Sequence, residues 1–465
     1  MIRLAVALSG LVFLAACSTG AQPAHSVPQP RTLTGTLGAA SYAIEVPGSW
    51  NGTLFLYSHG YVAQGSANSA VAAPGPDVSS WLLGHGYAIA GSSYSSTGWA
   101  VEDAFRDQVA LLDYFAGKVG RPRRTIAWGH SLGGLITAGL VQLHPELFAA
   151  AVPMCGVVAG SVATWNQALD GAYAFKSLVA PNTALSLVGI ANPLANLQLA
   201  GQLAAAAAAT PAGQARLALA AALGDIPGWF DPAAPEPAPD DYPSRAAAQR
   251  LWNSQVDFAY AFAARAEVEK RAGGNPSWNL GVDYRQLLQQ SVDRDEVTAL
   301  YKSAGLDLSQ DLAVLNAGAL IKPDPAAVAY LQRNLVFDGK LRVPVLTLHT
   351  SGDGLVVPEQ ESAYAATVRA AGSGAFLRQA FVHRAGHCAF TEAETIAAAQ
   401  VIVERLDRGS WDEAALQPAA LNLRAAALGS RYGLGLNGVT AAPAFFSWPL
   451  SPFLRPFDAS AQAAA

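Results

Sequence analysis

Thr125-Ile126-Ala127-Trp128-Gly129-His130-Ser131-Leu132-Gly133-Gly134-Leu135-Ile136-Thr137-Ala138-Gly139-Leu140 is the stretch on which the fold turns. Thr125–Trp128 is a short β-branched and apolar run, the signature of a buried strand. Leu132 to Leu143 reads as a helix. Between them lies Gly129-His130-Ser131-Leu132-Gly133, a G-x-S-x-G pattern. A strand that turns sharply into a helix at such a serine lifts the hydroxyl above the sheet edge. Glycines flank it because a side chain there would clash across so tight a turn. The helix N-terminus adds partial positive charge beside the hydroxyl.

A serine hydroxyl needs a base to become a nucleophile at neutral pH. His387, in Arg384-Ala385-Gly386-His387-Cys388, follows the last apolar run, where a late loop can reach over the serine. His383 is the reserve candidate, and His349 reads as the end of a strand. The histidine in turn needs a carboxylate to fix its tautomer. Val343-Pro344-Val345-Leu346-Thr347-Leu348-His349 is a strand, and Asp353 follows it between Gly352 and Gly354. The order Ser131, Asp353, His387 is that of a nucleophile-elbow hydrolase. Acyl transfer also needs oxyanion donors. The backbone N–H groups of Leu132 and of Tyr61, in Ser58-His59-Gly60-Tyr61, are the expected pair, with His59 orienting that loop or touching substrate. The pH profile should rise through neutrality as the base loses its proton.

Outward from this core the pattern alternates. Residues 31–46 read as a hairpin, Thr53–Tyr57 and Tyr87–Ala90 as strands, Glu102–Phe115 as a helix, and Phe148–Pro153 as a strand. After about 180 Ala/Leu-rich helical residues, Val343–His349, Phe376–Val382 and a helix over Glu392–Leu406 resume it. Alternating strands and helices imply a mostly parallel sheet covered on both faces.

These residues together resemble the α/β-hydrolase superfamily. The likeness covers roughly residues 31–156 and 337–410. It rests on the His-Gly turn at 59–60, the Gly-His-Ser-Leu-Gly elbow, Gly-Asp-Gly before Val-Val-Pro, and Gly-His after the last strand. It implies an α/β fold with a mostly parallel eight-stranded sheet and a large helical cap, residues 157–336, inserted after the sixth strand. Residues 411–465 form an extension that the reading does not place. The His387-Cys388 pair is similar to tannase and feruloyl esterase-like enzymes, in which a cysteine beside the catalytic histidine bonds one beside the serine. Here position 130 is histidine, so the partner would be Cys155, at the end of the strand after the nucleophile helix. Trp99 and Trp165 are candidates for the substrate pocket wall.

The N-terminus carries Arg3, an apolar run over Leu4–Leu14, and Leu14-Ala15-Ala16-Cys17. That run is too short to span a bilayer and fits a signal peptide. Residues 1–16 read as a lipoprotein signal, Cys17 as the lipidated residue, and 17–30 as a flexible tether. The protein is therefore expected outside the cytoplasm, anchored in the cell envelope, where Cys155 and Cys388 can be oxidised.

With 51% hydrophobic and 14% charged residues the chain can bury a large core. A net charge of −5 with no basic stripe excludes nucleic acid as partner and leaves a small-molecule or peptide substrate. No strand is followed by G-x-G-x-x-G, and no His/Cys/acid cluster has metal-ligand spacing, so neither cofactor nor metal is expected. The leading reading is a lipid-anchored serine hydrolase of carboxylic esters acting through an acyl-enzyme. The alternatives are a prolyl aminopeptidase-like serine peptidase, and a dead hydrolase scaffold that serves as a surface-binding lipoprotein.

Overall fold

The computed structural model describes residues 29–435 and 437–457. The signal segment 1–16, Cys17 and nearly all of the tether lie outside the described residues.

Nine strands form one sheet: β1 (Arg31–Leu37), β2 (Ala40–Val46), β3 (Thr53–Ser58), β4 (Ala88–Ser92), β5 (Arg124–His130), β6 (Ala150–Met154), β7 (Val345–Gly352), β8 (Leu377–Ala385) and β9 (Phe445–Phe446). Their order is β1-β2-β4-β3-β5-β6-β7-β8-β9. The run from β4 to β8 is parallel, and β1, β2 and β9 pair antiparallel. Every residue of β3, β4 and β6 is buried, as expected of parallel strands covered on both faces. The hairpin instead alternates along β2, with Ala40, Tyr42, Ile44 and Val46 turned inward.

Helices Val101–Lys118, Leu132–Leu143 and Gln360–Ala370 cover one face of the sheet. Helices Pro76–Gly84, Glu392–Arg408 and Pro418–Ala426 cover the other. The helical insertion leaves after β6 and returns before β7, running from Ser161–Leu178 to Pro325–Arg333 around its own apolar core. The expectation of eight strands is corrected to nine. The ninth comes from the C-terminal extension and spans two residues, Phe445 and Phe446, against β8. So short a strand has no alternation to read.

Past β9 the extension crosses to the cap. Arg455 Nη1 donates to both carboxylate oxygens of Asp170, at 2.8 and 2.7 Å, and Nη2 donates to the Trp278 carbonyl at 2.9 Å. Phe453 and Leu454 are buried beside it. Burial raises the Asp170 carboxyl to about 6 against the pull of Arg455, so it is ionised at neutral pH and the pair is charged.

Two more buried acids sit nearby: Asp225, just after cap helix Pro211–Leu223, and Glu359, just before helix Gln360–Ala370. Burial raises both, the Glu359 charge raises Asp225 further, and Asp293 and Asp353 raise Glu359. A carboxyl raised on folding stabilises the fold at low pH. That contribution is lost as pH climbs from the ordinary carboxylate range through the raised value. Glu359→Gln should therefore flatten the fall in Tm between about pH 5 and pH 8, and should gain at least about 1 kcal/mol over wild type at the upper end. Thermal unfolding across that range checks this; a slope equal to that of wild type would rule it out.

Candidate active site

Strand β5 ends at His130 and the next helix starts at Leu132, which leaves Ser131 at the corner with φ 58° and ψ −125°. The left-handed φ is strained for a serine, and the surroundings hold it. The Ser131 N–H donates to the Met154 carbonyl at 3.0 Å, and the Ser131 carbonyl accepts from the Gly134 N–H at 2.8 Å. A Cβ on Gly129 would lie 2.4 Å from the Ser58 carbonyl oxygen, and one on Gly133 would lie 1.9 Å from it. Only glycine lets β3 pass this close. His130 is buried near Tyr57 and Phe390. Burial, and then the charge of His387, pull its pKa down to about 3, so it stays neutral beside the nucleophile.

His387 lies in the loop after β8. Its Nε2 is 2.8 Å from Ser131 Oγ and its Nδ1 is 2.8 Å from Asp353 Oδ2. Asp353 Oδ1 accepts the N–H groups of Leu355 and Val356 at 3.1 and 3.0 Å. Asp353 is fully buried, which alone would raise its pKa. The charges and hydrogen bonds of His387 and His349 outweigh that and hold the carboxyl below the usual range. Such a chain can move the serine proton to His387 while Asp353 stays ionised.

His349 is more than a strand end. Its Nε2 is 2.8 Å from the Val356 carbonyl and 3.6 Å from Asp353 Oδ2, and its Nδ1 is 3.1 Å from Glu361 Oε1. Both ring nitrogens face acceptors, so both donate. Burial works against the cation, but Asp353 and Glu361 raise the pKa to about 10. A buried imidazolium therefore sits against the Asp353 carboxylate. Asp353 stands just past the end of β7, after a register shift between Thr350 and Gly352, so strand periodicity gave no signal for this contact. His383, the reserve base, approaches Ser351 and Glu236 instead of Ser131.

Cys155 and Cys388 form a disulfide with Cα atoms 5.3 Å apart. It ties the residue after His387 to the end of β6. The two sulfurs and the His387 ring are the one cluster with metal-ligand spacing among the described residues, and a disulfide offers no thiolate to a metal.

The loop after β3 touches the nucleophile: a Cβ on Gly60 would lie 3.3 Å from Ser131 Cβ. Tyr61, the next residue, and Leu132 both line the cavity that contains Ser131. His59 does not line it. Its Nδ1 is 2.7 Å from the Gly60 carbonyl, its Nε2 is 3.1 Å from the Ser93 carbonyl, and its ring stacks on Tyr94. The expectation of a substrate contact at His59 is therefore corrected: buried and bonded to backbone, it shapes the turn. Trp99 and Trp165 do line the cavity, edge to face with ring centroids 5.3 Å apart. The cleft measures about 830 Å³, its open mouth included, with the cap as its roof. Its walls are mainly apolar, as in most small-molecule sites.

Fold and site together define a serine hydrolase of the α/β-hydrolase superfamily. Residues 85–173, which include the elbow, match the prolyl oligopeptidase family. The chain is 31% identical over 425 residues to an o-phthalyl amidase of Xanthobacter agilis, covering 83% of this chain and 90% of the amidase, and it belongs to the same family. Among solved structures it is similar to an esterase from Aspergillus oryzae, at 13% identity and TM-score 0.37 over 82% of this chain and 80% of that one. It is also similar to the cell-wall-degrading esterase LipA of Xanthomonas oryzae, at 13% identity and TM-score 0.36 over 79% and 86%. Likeness at that level bears on neither activity nor substrate.

Proposed function

We propose that the protein hydrolyses carboxylic esters through an acyl-enzyme on Ser131. The reading rests on the unbroken chain Ser131–His387–Asp353, with both links at 2.8 Å, at the wall of an apolar cleft. His387 takes the Ser131 proton during attack and returns it to the leaving group. Asp353, backed by His349, holds His387 in the tautomer whose Nε2 faces Ser131. The N–H groups of Leu132 and Tyr61 hold the oxyanion, and water then releases the acid. Amides are the second reading, favoured by the relationship to an o-phthalyl amidase. The prolyl aminopeptidase alternative has weaker support, because the match to the prolyl oligopeptidase family covers only residues 85–173.

Matched p-nitrophenyl esters and p-nitroanilides of one acyl group, beside a prolyl p-nitroanilide with a free amine, separate these readings. Ester turnover with inert anilides supports the esterase. Fast hydrolysis of the acyl anilide moves the assignment to an amidase, and preference for the prolyl substrate moves it to a peptidase. Inertness towards all of them would leave the dead scaffold.

The anchor is part of the same reading. Leu14-Ala15-Ala16-Cys17 is the sequence that supports lipidation and attachment in the cell envelope. The full chain expressed in bacteria should partition into detergent, and Cys17→Ser should move it to the aqueous phase. Equal partitioning of the two would remove the anchor.

A further inference from the structure

The turn after β3, which carries the Tyr61 N–H, is bracketed by the segment that follows β4. Tyr94 Oη donates to the His59 carbonyl at 3.1 Å, and the Gly98 N–H donates to the Val62 carbonyl at 2.8 Å. Val62 and Gly98 form a single antiparallel bridge, and residues 63–67 beyond it are exposed. The placement of Tyr61 therefore depends on where residues 94–98 lie. Tyr94 has φ 61°, a conformation that a residue other than glycine keeps only where its surroundings hold it.

Part of that hold comes from the cap. Glu267, buried on cap helix Arg265–Ala272, accepts the Trp99 N–H on Oε2 at 2.9 Å. Its carboxyl packs on Gly98, which has φ 83°. A Cβ there would lie 2.4 Å from Glu267 Cδ and within 2.7 Å of both oxygens. Arg271, one helical turn on, donates from Nε to Glu267 Oε1 at 2.7 Å and from Nη2 to the Thr97 carbonyl at 2.8 Å. Just before this helix, Tyr260 meets Tyr61 edge to face with ring centroids 5.4 Å apart. Glu267 and Arg271 stand outside the cleft wall, whereas Tyr61, Trp99 and Tyr260 belong to it.

Taking the acyl-enzyme reading and its oxyanion pair as the basis, we propose that Glu267 is a positioning residue: through Gly98 and Trp99 it fixes the turn whose Tyr61 N–H receives the oxyanion. The cap then contributes to the catalytic geometry as well as roofing the cleft. A carboxylate is a stronger acceptor than a neutral oxygen, and it is held here by Arg271. Without it the Trp99 N–H is left buried and unpaired, and Gly98 loses what packs against it. The Gly98–Val62 bridge can then shift. An oxyanion donor acts only when it already points at the developing charge, so a small displacement of Tyr61 costs rate rather than substrate affinity.

The test compares wild type with Glu267→Ala, Glu267→Gln and the double variant Glu267→Met/Arg271→Met on one p-nitrophenyl ester. The double variant removes the pair without leaving Arg271 short of its partner, so it carries the test if the alanine variant folds poorly. Acylation and deacylation both pass through an oxyanion, so both should slow. Glu267→Ala and the double variant should each lose about 10- to 100-fold in kcat, with KM within about three-fold of wild type. The acid limb of the pH profile should not move, because His387 and Asp353 are untouched. A trifluoromethyl ketone of the same acyl group should bind more weakly by a similar factor. Ser131 Oγ adds to its carbonyl carbon, the proton passes to His387, and the carbonyl oxygen becomes the oxyanion. Glu267→Gln keeps an oxygen for the Trp99 N–H and should recover most of the lost rate. A kcat within about two-fold of wild type in both Glu267→Ala and the double variant, whatever their Tm, would overturn the proposal. So would a loss carried by KM alone, a shifted acid limb, or a Glu267→Gln variant as slow as Glu267→Ala. Each of these leaves the hydrolase reading standing. Wild type inert towards both the ester and its matched anilide would end the acyl-enzyme reading itself.

Discussion

Ser131→Ala is expected to lower kcat on any ester the protein accepts by about 10⁴-fold or more, with KM changing little. The Ser131 hydroxyl meets His387 Nε2 at 2.8 Å, so its removal takes out the nucleophile without disturbing packing. The backbone at this corner is set by the Met154 and Gly134 hydrogen bonds, which alanine keeps. Tm should therefore stay within about a degree of wild type. His387→Ala should be of similar severity, and the double variant little worse than either single one, because the two residues act as one unit. Initial rates, together with labelling by a fluorophosphonate probe that phosphonylates an activated serine with loss of fluoride, read this out. Retention of more than about one percent of wild-type turnover in Ser131→Ala would mean that another group attacks, and the assignment of Ser131 would have to be withdrawn.

The reasons these residues could be read from sequence are local. Ser131, Asp353 and His387 each stand just after an apolar run long enough to be recognised as a buried strand, and each has glycine close by. A short strand, a tight turn and a polar residue make up a pattern that fits in ten positions. The features that escaped are those in which sequence neighbours carry no signal. His349 and Glu361 meet only because helix Gln360–Ala370 packs back on β7, so the buried cation behind Asp353 is a product of tertiary packing. The ninth strand is two aromatic residues whose partner lies more than sixty positions earlier in the chain. His59 stands beside a glycine as a substrate-touching residue might, but backbone carbonyls of Gly60 and Ser93 occupy both its nitrogens. In the cap, nothing in the sequence marks the π-helical segments Asn253–Asp257 and Tyr260–Ala264, which contribute residues to the cleft wall.

The second large effect is expected at the disulfide. Cys155 and Cys388 are 233 residues apart in sequence, and closing so long a loop restricts the unfolded chain by about 5 kcal/mol on the chain-entropy account. Both cysteines have left-handed φ, 42° and 52°, a conformation that residues other than glycine rarely hold without support. The bridge lies between two parts of the active site. Cys388 follows His387 directly, with its sulfur 3.3 Å from His387 Nε2, and Cys155 follows Met154, whose carbonyl accepts the Ser131 N–H. His387 and the backbone behind Ser131 are therefore joined through one covalent link. Replacing both cysteines with alanine leaves no unpaired thiol at either site and keeps the sites apolar. The double variant should lose several degrees in Tm. It should also lose about 10- to 100-fold in kcat, because a histidine misplaced by about 1 Å loses its line to the serine. Disulfide reduction of the wild type should lower kcat in the same direction. Two free thiols in wild-type protein from an oxidising compartment, denatured without reductant, would show that the bridge does not form. A double variant with lowered Tm and full kcat would show that His387 is held by Asp353 and its own loop, and that the disulfide serves the fold alone.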